Sequence, residues 1–206
     1  MTKSTKHSAP AGGPPEKLSW PAGTLLGPVP VVMISCQGHE GPPNIITVAW
    51  AGTLCSNPPM LGISVTPARH SHKLISETRE FVVNMPSRYE AFATDLCGVI
   101  SGRDHDKFAR TGLTAAPAEH VRAPIIAECP LNIECRVSQA LPLGSHTLFI
   151  AEIVGIQVSK RLISTENHLS IEKAGLIAFA HGTYFELGKA IGTFGFSVKK
   201  DEPRKR

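Results

Sequence analysis

The strongest constraint on how this chain can fold is a succession of short β-prone apolar runs, each stopped by turn-forming residues. Val29, Val31, Val32, Met33, Ile34 and Cys36 form the first, ended by Gln37-Gly38-His39-Glu40-Gly41-Pro42-Pro43. Ile45 to Gly52 reads as a second strand, Asn57-Pro58-Pro59 as a turn, Leu61 to Val65 as a third strand and Phe81 to Met85 as a fourth. Further on, Ile133 to Val137 alternates apolar and polar residues, and Leu148 to Val158 is a longer β-prone run broken by Gly155. These two are expected to pair around Leu141 to Ser145. Such spacing predicts a barrel or sandwich rather than repeated βαβ units. Helical stretches are short: Ser71 to Thr78, with a serine able to cap, Tyr89 to Leu96, and a turn or two over Asp104 to Arg110. Ile171 to Ala180 fits helix or strand, because periodicity does not separate the two in a short apolar run.

The 206 residues suit one domain with a real core. Residues 1–17 are rich in Ser, Lys, Gly and Pro without apolar periodicity and are expected to form a disordered tail. The domain is expected over 18–198, followed by a basic tail at 199–206. A net charge of +4, much of it in the two tails, is too moderate for a nucleic-acid binder. Five cysteines are scattered without a CxxC pair, their spacing makes no zinc site, and Met1 is followed by polar residues. A reduced, cytoplasmic protein is the expectation. No stretch approaches the roughly 18 apolar residues of a membrane span.

Two segments carry possible chemistry. In Ser64-Val65-Thr66-Pro67-Ala68-Arg69-His70-Ser71-His72-Lys73 a buried strand runs through a turn into a helix start, so Arg69, the Ser71 hydroxyl and free helix amides would converge where a phosphate could sit. A surface arginine beside an ordinary serine N-cap fits the same residues. In Asn44-Ile45-Ile46-Thr47-Val48-Ala49-Trp50 the small Ala49 would let a flat ring approach the backbone, whose polar groups can hydrogen-bond a ring edge. An amphipathic strand with a core tryptophan fits equally.

Over Pro30 to Lys200 the order of motifs resembles the flavoredoxin branch of the flavin reductase-like family. They are Asn44-x-x-Thr47-x-Ala49-Trp50, Asn57-Pro58-Pro59, Arg69-x-Ser71, Glu80-Phe81-Val82-Val83-Asn84, Thr94-Asp95-x-Cys97-Gly98-x-x-Ser101-Gly102-Arg103-Asp104-x-Asp106-Lys107-Phe108, Gly144-Ser145-His146 and His181-Gly182-x-Tyr184-Phe185. Each is weak alone, and their collinearity makes the resemblance specific. It implies a mainly β protein with short helices, an FMN-binding split β-barrel assembled as a homodimer. It also implies that Arg69 and Ser71 hold the FMN phosphate with Thr47 nearby. Asn44, Val48, Ala49, Trp50, Ser64, Val65 and Asn84 would line the ring and ribityl chain, and Lys107 and Phe108 would close over the cofactor.

The resemblance places His146 and His181 at the open side of the flavin, where an imidazole could orient a substrate or supply a proton. A loop imidazole with a backbone hydrogen bond is the alternative for each. Cys97, near positive charge, is the one cysteine considered for redox chemistry, against the alternative of a small buried hydrophobe. No strand is followed by Gly-x-Gly-x-x-Gly, and Gly188-x-x-x-Gly192-x-x-Gly195 lacks that spacing, so a stable Rossmann site is not expected. The resemblance therefore implies an FMN-dependent oxidoreductase, with NAD(P)H as a transient hydride donor and a second acceptor. The alternatives are a flavoredoxin-like electron carrier exchanging electrons with a redox partner protein, and a flavin-free member of the fold.

Overall fold

A computed structural model describes residues 14–198. The expected basic tail at 199–206 and residues 1–13 of the expected N-terminal tail lie outside the described residues.

The expected mainly β architecture is present. Seven strands form one antiparallel sheet: β2 (Val32–Cys36), β3 (Asn44–Val48), β4 (Ala51–Ser56), β5 (Pro59–Val65), β6 (Glu80–Met85), β9 (Leu131–Pro142) and β10 (Thr147–Val158), in the order β3-β2-β6-β9-β10-β5-β4. β1 (Val29–Pro30) joins β11 (Ile177–Ala180) and β12 (Thr183–Glu186) in a small second sheet, and β7 (Ala115–Ala116) pairs with β8 (Ile125–Ile126). The helices are α1 (His70–Thr78), α2 (Ala91–Val99) and α3 (Lys107–Thr111).

The run Ile45 to Gly52, read as one strand, is two. It breaks at Ala49-Trp50, and its halves β3 and β4 are the opposite edges of the seven-stranded sheet. The first run divides too, Val29-Pro30 leaving for the second sheet. The Ile171 to Ala180 ambiguity resolves into both answers, a 3-10 turn at Ile171–Lys173 and then β11. β9 and β10 pair as expected, with an irregularity at Gly155, where a Cβ would collide with the His120 ring.

Alternation along the strands sends side chains into two cores. Val32, Ile34 and Cys36 of β2 and Ile46 and Val48 of β3 point into the curled sheet, where they meet Ile63, Phe81, Phe149 and the α1 residues Leu74 and Ile75. Met33 and Ile45 point the other way, against Cys97 of α2, Phe108 of α3, Ile126 and Cys129. Both faces of β2 are thereby covered, which is why all five of its residues are buried.

Asn84 sits fully buried at the junction of these layers. Its amide nitrogen donates to the Met33 carbonyl at 3.0 Å and to Ser35 Oγ at 2.8 Å, and its oxygen accepts from Ile126 N–H and Asn132 Nδ2, each at 2.8 Å. Every polar atom of the side chain is thus used for structure. An Asn84→Ala variant would leave the Ile126 amide and the Asn132 side chain short of partners in the interior, and should lose about 2–3 kcal/mol. Urea denaturation followed by circular dichroism measures this; a midpoint equal to that of the parent would show that the network contributes nothing.

Candidate functional site

The break between β3 and β4 positions everything that follows. Ala49 and Trp50 belong to neither ladder; Ser64 N–H donates to the Trp50 carbonyl at 2.9 Å, tying the link to β5. Three of the hollows that adjoin Asn44 to Trp50 hold the residues singled out from sequence.

The first hollow, about 290 Å³, is lined by Asn44, Ser71, Ser101, Arg69, His70, Arg103 and Lys107 among others, and its lining contains no carboxylate. Ser71 is not the cap expected of it. The helix begins one residue earlier, Arg69 occupies the N-cap without a side-chain cap bond, and Ser71 lies buried in the first turn, where its hydroxyl accepts from Asn44 Nδ2 at 2.8 Å. Lys107 is buried beneath this hollow, its ammonium donating to the carbonyls of Ile45 at 2.8 Å and Cys97 at 2.7 Å. Burial lowers its pKa, and the Arg69 charge adds to that. His70 is lowered as well, first by burial and then by Arg103, Lys73 and Lys107. Cationic and neutral donors facing a space without a negative partner are suited to an anion.

Two glycines let this hollow form. A Cβ at Gly102 would collide with the Asn44 amide, and one at Gly98 would lie 3.3 Å from Thr47 Cβ. Gly98 therefore lets α2 settle on β3, where Thr47 donates its hydroxyl hydrogen to the Thr94 carbonyl of α2. Gly102 brings the Ser101-Arg103 loop over Asn44. Arg103, Ser101 and His70 were not singled out from sequence; the Ser-Gly-Arg run was the available signal, and the folding of its loop onto β3 was invisible there.

The second hollow, about 160 Å³, continues from Arg69 past Thr47, Val48, Ala49, Trp50, Ser64, Val65 and Thr66 to His146. The His146 ring lies 4.4 Å from the Trp50 ring, centroid to centroid, and its Nδ1 is 2.9 Å from Ser145 Oγ. The third, about 400 Å³, joins Ala49 and Trp50 to Thr24, Leu26, Phe179, His181 and Gly182. His181 and Gly182 form the two-residue loop between β11 and β12, with φ of 46° and 87°. Left-handed conformation at both positions is the twist a two-residue hairpin turn needs. Histidine is, with Asn and Asp, among the non-glycine residues that adopt it most often.

Of the residues singled out from sequence, Asn44, Arg69, Ser71 and Lys107 meet at the anion end. Thr47, Val48, Ala49, Trp50, Ser64, Val65 and His146 meet in the middle, and His181 lies beyond Trp50. Two are elsewhere. Asn84 is spent in the interior network, and Phe108 packs in the second core against Met33, Ile45 and Cys97, so neither lines these hollows. Cys97 is buried in that same core and its thiol is pushed up to about 11 by burial, with Lys107 opposing only in part, which disfavours a thiolate.

A flavin reductase like domain is matched over residues 26–187, most of the chain. The chain belongs to the flavin reductase like domain family. Among solved structures, the flavoredoxin of Desulfovibrio vulgaris (Miyazaki F) is 33% identical and superposes with a TM-score of 0.83, covering 89% of this chain and 100% of that one. A flavoredoxin from Methanosarcina acetivorans is 27% identical with a TM-score of 0.82, covering 90% and 98%. An uncharacterised Archaeoglobus fulgidus protein is 36% identical over 114 residues, 55% of this chain and 64% of the relative. The reductase component of a 4-nitrophenol 4-monooxygenase/4-nitrocatechol 2-monooxygenase of Rhodococcus opacus is 29% identical over 61% of this chain and 64% of the relative. The family supports flavin-related redox chemistry, and the split barrel is the fold expected from sequence. No helix among the described residues is long and apolar enough to cross a membrane.

The depressed imidazoles of His70 and His72 give a pH prediction. A histidine whose pKa is lowered by folding stabilises the folded state above its unfolded value, about 6.5, and that stability is lost as pH falls through the lowered value. An anion in the first hollow reverses the sign for His70, because it favours the imidazolium. Sulfate, which does not titrate in this range, should therefore raise the melting temperature more at pH 5.5 than at pH 7.5. His70→Asn should flatten that difference. A sulfate effect independent of pH in the parent protein would remove His70 from the anion site.

Proposed function

We propose that this protein is an FMN-dependent oxidoreductase in which NAD(P)H reduces the bound flavin and a second acceptor reoxidises it. The observation that carries the reading is the carboxylate-free cationic hollow at Arg69, Arg103 and Lys107, joined along one strand to the Ala49-Trp50 link. The residues fit the cofactor at both ends. A phosphate monoester placed in the first hollow would find the Arg69 and Arg103 guanidinium groups, with Ser71, Asn44 and the first amides of α1 beside them. A flat ring beyond it would find small Ala49 and the polar side chains of Ser64 and Thr66.

Bound there, FMN would supply the chemistry of hydride acceptance at N5 and onward electron transfer. The protein's part is positional and electrostatic. Arg69 and Arg103 hold the charged end. Thr47, fixed to α2, and Val48 keep the strand in place under the cofactor. His146, held by Ser145 and tilted against the Trp50 ring, and His181, fixed in its turn, each share a hollow with the indole, where each can donate a hydrogen bond to a substrate carbonyl or amide. Lys107 neutralises from beneath rather than closing over the site.

The similarity to two flavoredoxins favours a second reading, an electron carrier that keeps FMN and exchanges electrons with a redox partner protein without turning over NAD(P)H. Anaerobic mixing of the FMN-loaded protein with NADH or NADPH separates the two: bleaching of the flavin absorbance within the mixing time supports the reductase, and its absence together with reduction by a partner protein supports the carrier. A homodimer is part of the proposal, and sedimentation velocity of the holoprotein should show one; a monomer at micromolar concentration would remove it. Arg69→Ala should weaken FMN binding at least tenfold, about 1.4 kcal/mol, by fluorescence titration. Unchanged affinity would place the phosphate elsewhere.

A further inference from the structure

We infer that the second substrate of this site is an uncharged, flat, largely apolar molecule carrying a conjugated carbonyl, of the quinone class, bound on the far side of Trp50 from the cationic hollow. The inference rests on the flavin reading and names what that reading leaves open. Beyond Trp50 lies a hollow of about 440 Å³ whose largely apolar wall includes Leu25, Leu26, Leu54 and Leu148 and contains no charged side chain. It shares Ala49, Trp50 and Ser64 with the middle hollow, so a molecule in it would abut whatever lies along Ala49 and Trp50. Leu26 is 89% exposed, Leu25 56%, Leu54 52% and Trp50 45%, an apolar concentration that costs solubility unless something of matching character occupies it.

Charge sorts the possible occupants. The cations that could take a phosphate or a carboxylate are gathered in the first hollow, so an anionic acceptor such as a ferric chelate carrying free carboxylates would meet no cation here, only apolar side chains and the hydroxyls of Thr24 and Ser64. An uncharged ring system is desolvated at little cost. One polar group at the rim serves recognition: His181, which the adjoining hollow shares with Trp50 and Leu26, is held by its left-handed backbone at the tip of the β11-β12 hairpin. The hairpin turn fixes where that side chain starts, and an imidazole N–H there suits a carbonyl oxygen. The stoichiometry closes without another reactant. The reduced flavin gives up a hydride and a proton, and a quinone takes both, exchanging its two carbonyl double bonds for the hydroxyls of a hydroquinone.

The test is binding, measured on the full-length FMN-loaded protein by isothermal titration calorimetry. The probes are 2,3-dimethyl-1,4-naphthoquinone, whose blocked ring spares thiols, and the same quinone bearing a ring sulfonate. The uncharged quinone should bind, and the sulfonate should bind at least tenfold more weakly. Leu54→Asp on the wall should weaken the uncharged quinone at least tenfold while FMN affinity stays within twofold. His181→Asn, which keeps the turn, should lower affinity for the quinone but not for 2,3-dimethylnaphthalene, the hydrocarbon without carbonyls. Equal affinity for the two quinones, no binding of the uncharged one, or a Leu54→Asp variant that binds it as the parent does would each overturn the inference. Failure to take up FMN with retained quinone binding would instead strike the flavin reading and leave the pocket standing.

Discussion

Two residues impose the shape of the molecule. β3 and β4 are the outer strands of a seven-stranded sheet, yet only Ala49 and Trp50 separate them in the chain. Laid flat, strands about 4.8 Å apart would put these edges about 29 Å from one another. The step from Val48 to Ala51 covers three Cα to Cα virtual bonds and spans about 11 Å at most. The sheet therefore has to curl until its edges nearly meet at that end. The seam is where the ladder stops, and Ala49 and Trp50 leave the strand pairing that flanks them. Curling and the break in the ladder at the seam are one event, so the fold and its candidate site share a cause.

The anion end follows from what packs against the same strand. Residues 44, 46 and 48 face into the curl and residues 45 and 47 face α2 and α3, so β3 offers Asn44 to α1 and Thr47 to α2 simultaneously. Close approach needs glycine at two points, Gly98 opposite Thr47 and Gly102 opposite Asn44. Lys107 then fills the space between strand and helix, held by one carbonyl from each. Its charge is buried, its pKa is lowered, and its partners are dipoles rather than a carboxylate. A positive field without a counter-ion is costly to maintain. Binding an anion offsets that cost, and such an arrangement is a reason to expect that the free protein is less stable than the loaded one.

Much of this was legible in the chain. The strand and turn succession predicts a barrel or sandwich and the resemblance narrows it to the split barrel, the β9-β10 pairing is present as expected, and Arg69, Ser71 and the Asn44 to Trp50 segment stand out as two places of interest. That they adjoin was not visible from residue types, since Asn44 and Ser71 meet only because β3 and the N-terminus of α1 lie side by side. The single strand read over Ile45 to Gly52 shows the limit most clearly. Alternation persists through Ala49-Trp50 whichever neighbour each half pairs with, so local pattern gives no sign that the halves belong to opposite edges. Asn84 failed for a related reason: an asparagine in a strand looks the same whether its amide faces a ligand or, as here, five protein groups in the interior. Phe108 likewise follows Lys107 in sequence, but its ring packs into the second core and not at the hollow.

The order of polarity along the seam bears on which molecules could use it. Cations stand at Arg69, Arg103 and Lys107, hydroxyls and a histidine in the middle, and leucines with an indole beyond. A molecule with a charged tail and a flat head is aligned by that gradient in one direction only, because reversing it would set a charge among leucines and an apolar ring among guanidinium groups. Alignment of that kind does not require a tight match at every atom, which suits a site built largely from the edge of a sheet and two loops. It also divides labour between the ends: changes at the cationic end should alter how firmly the charged tail is held, and changes at the leucine end should alter which second molecule meets the ring. Arg69 lines both of the first two hollows, so it is the residue at which those two functions are least separable.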